Sequence, residues 1–486
     1  MIIDELTYRI RQEFHFAPTR EQAQAMETFG RFMTDRDASA VMILRGSAGT
    51  GKTSLAGALV RTLALLQQKV LLLAPTGRAA KVFSVNSGHA AYTIHRKIYR
   101  QRSLGGDFAL NVNLHADTLF IVDESSMIGS GAGASAEGGS FGSGDLLSDL
   151  VRFVYSGRNC RLLLIGDKAQ LPPVGEEESP ALSGTVMGGY GLKVYEQDLT
   201  EVLRQSHDSG ILYNATVIRR MITHDAATEL PKITFGAFAD LQMVPGAELT
   251  DALGSSYGRV GLDETIVITR SNKRAIIYNR GIRNTILDRD EELSSGDMLM
   301  IVKNHYRSPA PTKPEAKGQD ATENHRLDFI ANGDRAVVRR VRHIRELYGY
   351  HFADVTLTFP DYDDAETDCT VIMDSLASEA PALTRLQSED LYNKVMNDYT
   401  DIPLKSDRLK RMRQDVYLNA LQIKYAYAIT CHKAQGGQWA HVYIDQGYMT
   451  DEMLTPDYIH WLYTAFTRAT DKLFLVNWPQ TQTKEP

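Results

Sequence analysis

Residues 46–53 read GSAGTGKT, and this octapeptide stands between an apolar run, VMILR at 41–45, and a stretch over 52–68 whose leucines recur at 55, 59, 63 and 66. A buried strand that turns through glycines into a helix opens a parallel α/β unit, which excludes an all-helical or all-antiparallel fold for this part of the chain. The octapeptide satisfies GxxxxGK[ST] in the context its mechanism needs. Gly46, Gly49 and Gly51 let backbone N–H groups wrap phosphates, and the helix start favours their charge. Lys52 reaches the β and γ oxygens, and the Thr53 hydroxyl is placed to ligate Mg2+. The octapeptide by itself specifies a nucleoside triphosphate and no particular reaction.

Further strand-like runs follow at 69–74, 118–123, 161–167, 264–270, 441–445 and 472–478, several of them separated by helical stretches. That alternation is a parallel-sheet signature. It breaks between 297 and 375, where DMLMIVKN, DRAVVRRVRHI, DVTLTF and CTVIM are short strands without helices between them, so a small β-barrel inserted into a second α/β domain is expected. Residues 129–144, GSGAGASAEGGSFGSG, have the composition of a flexible surface excursion. The carboxylate-rich stretch 361–368 is expected to be a solvated loop.

A chain of 486 residues is long enough for about three folding units, and 43% hydrophobic with 23% charged residues is an ordinary globular balance. No apolar run approaches the ~20 residues of a membrane helix, so no membrane partner is expected. The opening MIIDELTYRIRQEF mixes both charge signs, unlike a secretory leader. Cys160, Cys369 and Cys431 are far apart and form no CxxC, which argues against disulfides or zinc and for a cytoplasmic location. The net charge of −7 argues mildly against nucleic acid, yet basic residues cluster at 96–102, 335–345 and 405–413. Each cluster taken alone reads as a solvated face.

The run TLFIV ends in Asp123 and Glu124, which delivers two carboxylates to the edge of the sheet where a P-loop ligand lies. Asp123 suits a metal ligand and Glu124 a base for the attacking water, although an Asp-Glu pair before Ser-Ser would also serve as a helix cap. The run RLLLIGD is followed by Gln170, an amide suited to sensing a γ-phosphate.

GDKAQLPPVG at 166–175, together with DESS at 123–126 and the P-loop, resembles the first motor domain of superfamily 1 helicases of the RecD and phage Dda type. FAPTREQ at 16–22 is similar to the Q motif, APTGRAAK at 74–81 to motif Ia, and YTIH at 92–95 to the next DNA-contact motif. LTEVLRQ at 199–205 is similar to motif IV, ITCHKAQGGQW at 429–439 to motif V, and LYTAFTRA at 462–469 to motif VI. The departures are the Gly/Ser stretch after DESS, Lys168-Ala169, and a segment beyond 375 that matches nothing firmly.

The resemblance implies two RecA-like, parallel-sheet P-loop motor domains, with a small hairpin insertion (1B) and an SH3-like β-barrel insertion (2B). Motor domain 1A would cover 1–200, with the hairpin at about 96–115; 2A would cover 201–296 plus 421–486, and the barrel 297–420. It implies ATP and Mg2+ as cofactors, with Gln22 reading the adenine edge, Gln435 and Gly436 linking DNA to nucleotide, and Arg204 and Arg468 acting as arginine fingers. Thr76, Thr93, His95, Arg96, Tyr99, Thr430 and His432 would contact DNA, with Arg96 and Tyr99 on a basic, aromatic platform in the hairpin. The implied activity is an ATP-dependent 5′–3′ DNA helicase and translocase acting on single-stranded DNA and ss/ds junctions, in a setting of DNA repair and recombination. The alternatives are a P-loop NTPase switch, or a translocase subunit without unwinding of its own. A nuclease has little support, because no paired carboxylates outside the motor motifs are organised for metal.

Overall fold

The computed structural model describes residues 2–101, 108–131, 143–201, 209–223, 230–236, 238–306, 329–412 and 414–484. In the first half, β1 (Ala40–Gly46), β2 (Lys69–Ala74) and β3 (Ala91–Thr93) lead to a short antiparallel hairpin, β4 (Tyr99–Gln101) with β5 (Phe108–Leu110). The chain then returns through β6 (Thr118–Val122), β7 (Arg161–Gly166) and β8 (Lys193–Leu199). Apart from the hairpin, these six strands make one parallel sheet in the order β3-β2-β6-β7-β1-β8. Every residue of β6 and β7 is buried, because helices cover both faces and leave no solvent side on which a polar alternation could pay off. Leu55, Leu59 and Phe83 pack one face together with the N-terminal helix residues Leu6, Ile10 and Phe14. Leu147, Leu150 and Phe153 pack the other.

The second half contains β10 (Leu241–Val244) and β11 (Thr265–Thr269) after a two-residue strand, β9 (Ile233–Thr234). The barrel strands follow: β12 (Met298–Ile301), β15 (Arg335–Leu347), β16 (Tyr350–Phe359), β17 (Ala365–Ile372) and β18 (Leu421–Tyr425), with a small ribbon of β13 (His305–Tyr306) and β14 (Phe329–Ile330). The chain then re-enters the second sheet through β19 (Ala428–Thr430), β20 (Trp439–Asp445) and β21 (Ala469–Val476), and β22 (Thr483–Lys484) pairs with β9. The second parallel sheet has the order β10-β21-β20-β11-β19, and β12-β15-β16-β17-β18 close into a barrel. The architecture is therefore α/β, with two parallel-sheet units, a hairpin insertion and a β-barrel insertion.

The barrel boundary and the acidic stretch depart from the sequence expectations. The barrel extends to 425 instead of stopping at 420, because β18 closes it by pairing antiparallel with β12 and parallel with β17. The arginine run 335–345 keeps Arg339, Arg340 and Arg342 exposed, as a solvated face does, with Arg335 buried; Arg345 makes a two-pronged contact with Asp354 at 2.8 Å and Arg342 lies 3.3 Å from Asp368. Asp361 in the acidic stretch is buried, 3.9 Å from both Arg78 and Arg335. The segment beyond 375, to which no motif was assigned, folds into helices Arg385–Asn397 and Lys405–Met412; Leu391 and Val395 of the first pack on Tyr350, Phe352 and Ile372 of the barrel. Of the Gly/Ser stretch, 132–142 lie outside the described residues; a Cβ on Gly131 would stand 2.8 Å from the Gly144 carbonyl oxygen, so the chain leaves and returns at one point.

Candidate functional site

The P-loop leaves the C-terminal edge of β1 and enters helix Lys52–Leu65, with Gly49 and Gly51 in the left-handed region at φ 78° and 77°. Glycine at 46 is required sterically, since a Cβ there would lie 2.7 Å from Lys52 Cγ. The Lys52 ammonium donates to the Gly46 carbonyl and stands 4.0 Å from Asp167 Oδ2 at the end of the adjacent strand β7. Gln22 is anchored at both ends of its amide: Oε1 accepts the Thr19 N–H in a capping box, and Nε2 donates to Thr50 O at 2.9 Å. The amide thus braces the P-loop, with one N–H left for any adenine contact.

Asp123 and Glu124 follow β6. Burial, with the Glu124 charge next in importance, pushes the Asp123 carboxyl up to about 7, while Lys52 pulls it down. Glu124 sits at φ 51°, a conformation non-glycine residues adopt sparingly and one that re-aims its side chain at the strand end. The Thr53 hydroxyl at the helix start and the Asp123 carboxylate are hard oxygen donors of the kind Mg2+ takes beside phosphates, and a cation would relieve the raised Asp123 carboxyl. Ser47 Oγ in the loop and Gln170 Oε1 are buried without a hydrogen-bond partner, so the cradle holds polar atoms that the protein leaves unsatisfied.

The second motor unit closes this site through helix Pro456–Phe466 and the loop after β19. His460 Nδ1 bonds Ala169 O at 2.9 Å, Thr464 Oγ1 accepts the Leu171 N–H at 2.8 Å, and Gln435 Nε2 donates to Leu171 O at 2.6 Å. Gln435 therefore touches the loop that carries Gln170. Arg468 is buried, and its donors go to Thr464 O, Gly437 O and Thr467 Oγ1 at 3.0–3.1 Å, all neutral oxygens. Its charge has no carboxylate partner among the described residues. Arg204 lies outside the described residues.

Beside the sheet edge, the Thr76 and Thr93 hydroxyls accept the helix-start N–H groups of Ala79 and Arg96; Thr76 is half-buried and Thr93 is buried. Burial lowers the His95 pKa to about 4, so the ring is a neutral hydrogen-bonding group at pH 7. Thr430 caps the short turn Cys431–Ala434 without a side-chain bond; His432 beside it is exposed, and Gly436 packs on Thr76 and Ala79. Tyr99 is not part of a stacking platform: it is buried, with its hydroxyl on Asp149 at 2.9 Å, because its strand position points into the first unit's core. The aromatic among the basic residues is Tyr92, with Lys97 Nζ 3.7 Å and Arg96 6.0 Å from its ring centre. A slot lined by Asn272, Thr430, Lys424 and Lys433 was also missed. Burial, and secondarily Lys424, lowers Lys433 to about 8. No motif spacing signals that pair, since barrel strand β18 supplies one lysine and the helical turn Cys431–Ala434 after β19 the other.

Residues 17–229 match the family model described as an AAA domain, and residues 425–476 match the UvrD-like helicase C-terminal domain. The chain is thus similar to superfamily 1 helicases of the RecD/Pif1-like kind. Over 135 residues it is 33% identical to the ATP-dependent RecD2 DNA helicase of Deinococcus radiodurans, a match covering 28% of this chain and 16% of that protein. Over 506 aligned residues it is 22% identical to an uncharacterised protein of Acanthamoeba polyphaga mimivirus, covering 89% and 94% of the two chains. Among solved structures, a Bacteroides Pif1 helicase in complex with ADP-AlF3 and ssDNA has 15% identity and a TM-score of 0.47, covering 97% of this chain and 95% of that one. The Pif1 helicase of Candida albicans has 15% identity and a TM-score of 0.39, covering 97% of each chain. The two family models fall on the two parallel-sheet units and leave the barrel between them. Among the described residues no helix is long and apolar enough to cross a membrane.

Proposed function

We propose that this chain is an ATP-driven motor that moves 5′ to 3′ along single-stranded DNA and separates strands at ss/ds junctions. The observation that carries the reading is the loop 167–171: it leaves the P-loop sheet beside Lys52, carries Gln170, and is held by three side chains of the second unit. Any change at the phosphates is thereby transmitted to the other half of the molecule. The domain division 1–200, 201–296 plus 426–486, and 297–425 belongs to the same reading, as does a cytoplasmic location.

In the chemistry this implies, backbone N–H groups of the loop and Lys52 hold the triphosphate. Mg2+, held by Thr53 and Asp123, would neutralise charge on the phosphate oxygens when bound. Glu124 accepts a proton from the water whose oxygen forms the new bond to the γ-phosphorus as the bond to the ADP oxygen breaks. Gln170 orients that water, and the buried charge of Arg468 answers the negative charge spread over the γ-oxygens. Arg204 is proposed for the same role from motif IV. Thr76, Thr93, His95, Arg96, Thr430 and His432, joined by Tyr92, Lys424 and Lys433, supply contacts to a single strand that track any sequence.

The test is ATP turnover with and without oligothymidine, then unwinding of duplexes carrying 5′ or 3′ tails. Turnover should rise at least tenfold with DNA, as a site coupled to a DNA contact requires, and only the 5′-tailed duplex should open. Turnover indifferent to DNA would favour the switch, and DNA-stimulated turnover without unwinding would favour the translocase subunit.

A further inference from the structure

The nucleotide site contains a hydroxyl from the motif VI segment to which the sequence alone assigned no role. Tyr463 belongs to helix Pro456–Phe466 of the second unit, yet its oxygen lies inside the first: it accepts the Ala48 N–H of the P-loop at 3.0 Å and donates to Asp167 Oδ2 at 2.6 Å. The side chain is 1% exposed. Burial, with the Asp167 charge next, holds the phenol well above its usual pKa, so it remains a donor to the carboxylate. Asp167 is itself buried, and its other oxygen accepts the Ala169 N–H at 3.0 Å. Two donors therefore fix a carboxylate whose Oδ2 stands 4.0 Å from the Lys52 ammonium, beyond hydrogen-bond range yet close enough to collapse onto it.

We propose that the Tyr463 hydroxyl is a positioning group supplied to the nucleotide site by the second motor unit, holding Asp167 off Lys52 so that the ammonium stays available to the triphosphate. The inference rests on the P-loop being a triphosphate site and deepens it, since it makes that site's affinity depend on the docking of helix Pro456–Phe466. A P-loop lysine shared between a protein carboxylate and a ligand phosphate binds the ligand less tightly, because the ion pair must first be broken. The Ala48 N–H held by the same oxygen keeps this side of the loop in register.

Tyr463→Phe removes one oxygen atom and keeps the ring, so packing is retained. The variant should bind a fluorescent ATP analogue at least about tenfold more weakly, on the scale of one hydrogen bond to a charged group, with its KM for ATP rising in parallel. Asp167→Asn removes the competing charge. In that background Tyr463→Phe should have no further effect on Kd, so that the double variant binds the analogue as Asp167→Asn alone does. A purely structural tyrosine would instead give losses that multiply. Affinities are referred to titrated binding sites, so any unfolded fraction drops out. An unchanged Kd in Tyr463→Phe, or multiplicative losses in the double variant, overturns the proposal. Because binding is read directly, the outcome is separate from that of the motor reading, which fails if the parent binds the analogue and shows no DNA-stimulated turnover.

Discussion

Arg468 shows how one side chain can be read two ways. Its guanidinium holds the loop of motif V to the end of motif VI through Gly437 O and Thr464 O, and it is also a buried cation whose partners carry no charge. A cation desolvated at that cost is compensated when an anion arrives. Arg468→Lys keeps the charge and loses the planar fork. It should lower DNA-stimulated kcat by ~10² with ATP affinity within several-fold, and lower the melting temperature by a few degrees, since neutral hydrogen bonds are worth about 1 kcal/mol each. Steady-state kinetics and thermal unfolding check both; normal kcat with a lowered melting temperature would leave Arg468 a brace only. The arginine was legible because Thr-Arg-Ala closes a motif. Tyr99 was misread and Tyr92 missed because alternation along a three-residue strand does not say which face is the core.

Among the elements, the junction of the barrel with helix Gly77–Ser87 decides most. Asp334, between β14 and β15, is buried at the start of that helix, where its Oδ2 accepts the Ala331 N–H at 2.7 Å and the Tyr362 hydroxyl at 2.9 Å. A Cβ on Gly77 would come within 2.5 Å of its other oxygen. Arg78 reaches Glu264 and the Gln438 carbonyl of the second unit, lies over the Trp439 ring at 4.7 Å and approaches Asp361 at 3.9 Å. Three parts of the molecule thus meet at the motif proposed to grip DNA. Burial, and less so the Asp361 charge, raises Asp334 to about 7 against the backbone and Tyr362 bonds that lower it. From pH ~4 to ~7 the folded state then holds a proton the unfolded chain has released, so this group makes stability fall as pH rises through that window. Asp334→Asn removes the slope. Its melting temperature relative to the parent should therefore climb from pH 5 to pH 8, and parallel profiles for the two proteins would show that Asp334 is ionised throughout. The acidic and basic runs were visible in the sequence, but their pairing across β15, β16 and β17 was not, because strand register is set by contacts between residues far apart in the chain.

At the scale of the whole molecule, a net charge of −7 is no barrier to binding DNA, because phosphates respond to the local field of the rim and not to the sum. Binding of oligothymidine should weaken steeply with salt, with a log–log slope of about −0.7 per phosphate neutralised, so that four contacts give roughly −3. Fluorescence anisotropy across 50–300 mM salt checks it, and a flat dependence would mean that the rim lysines and arginines are spent on protein carboxylates. The sequence by itself determined the two parallel sheets, the P-loop with its Asp-Glu partner and the order of the motifs, because each depends on periodicity or chemistry within a few neighbouring residues. The five-strand barrel was legible only in part: β18 lies about fifty residues beyond β17, and a strand is assigned to a barrel by the edges it pairs with. What only the tertiary structure decided is what the two halves do to each other: Tyr463 entering the P-loop, Gln435 and Thr464 holding Leu171, and Arg78 spanning three units. These contacts join residues about 180 to 415 positions apart, a separation at which local pattern carries no information and only packing selects the partner.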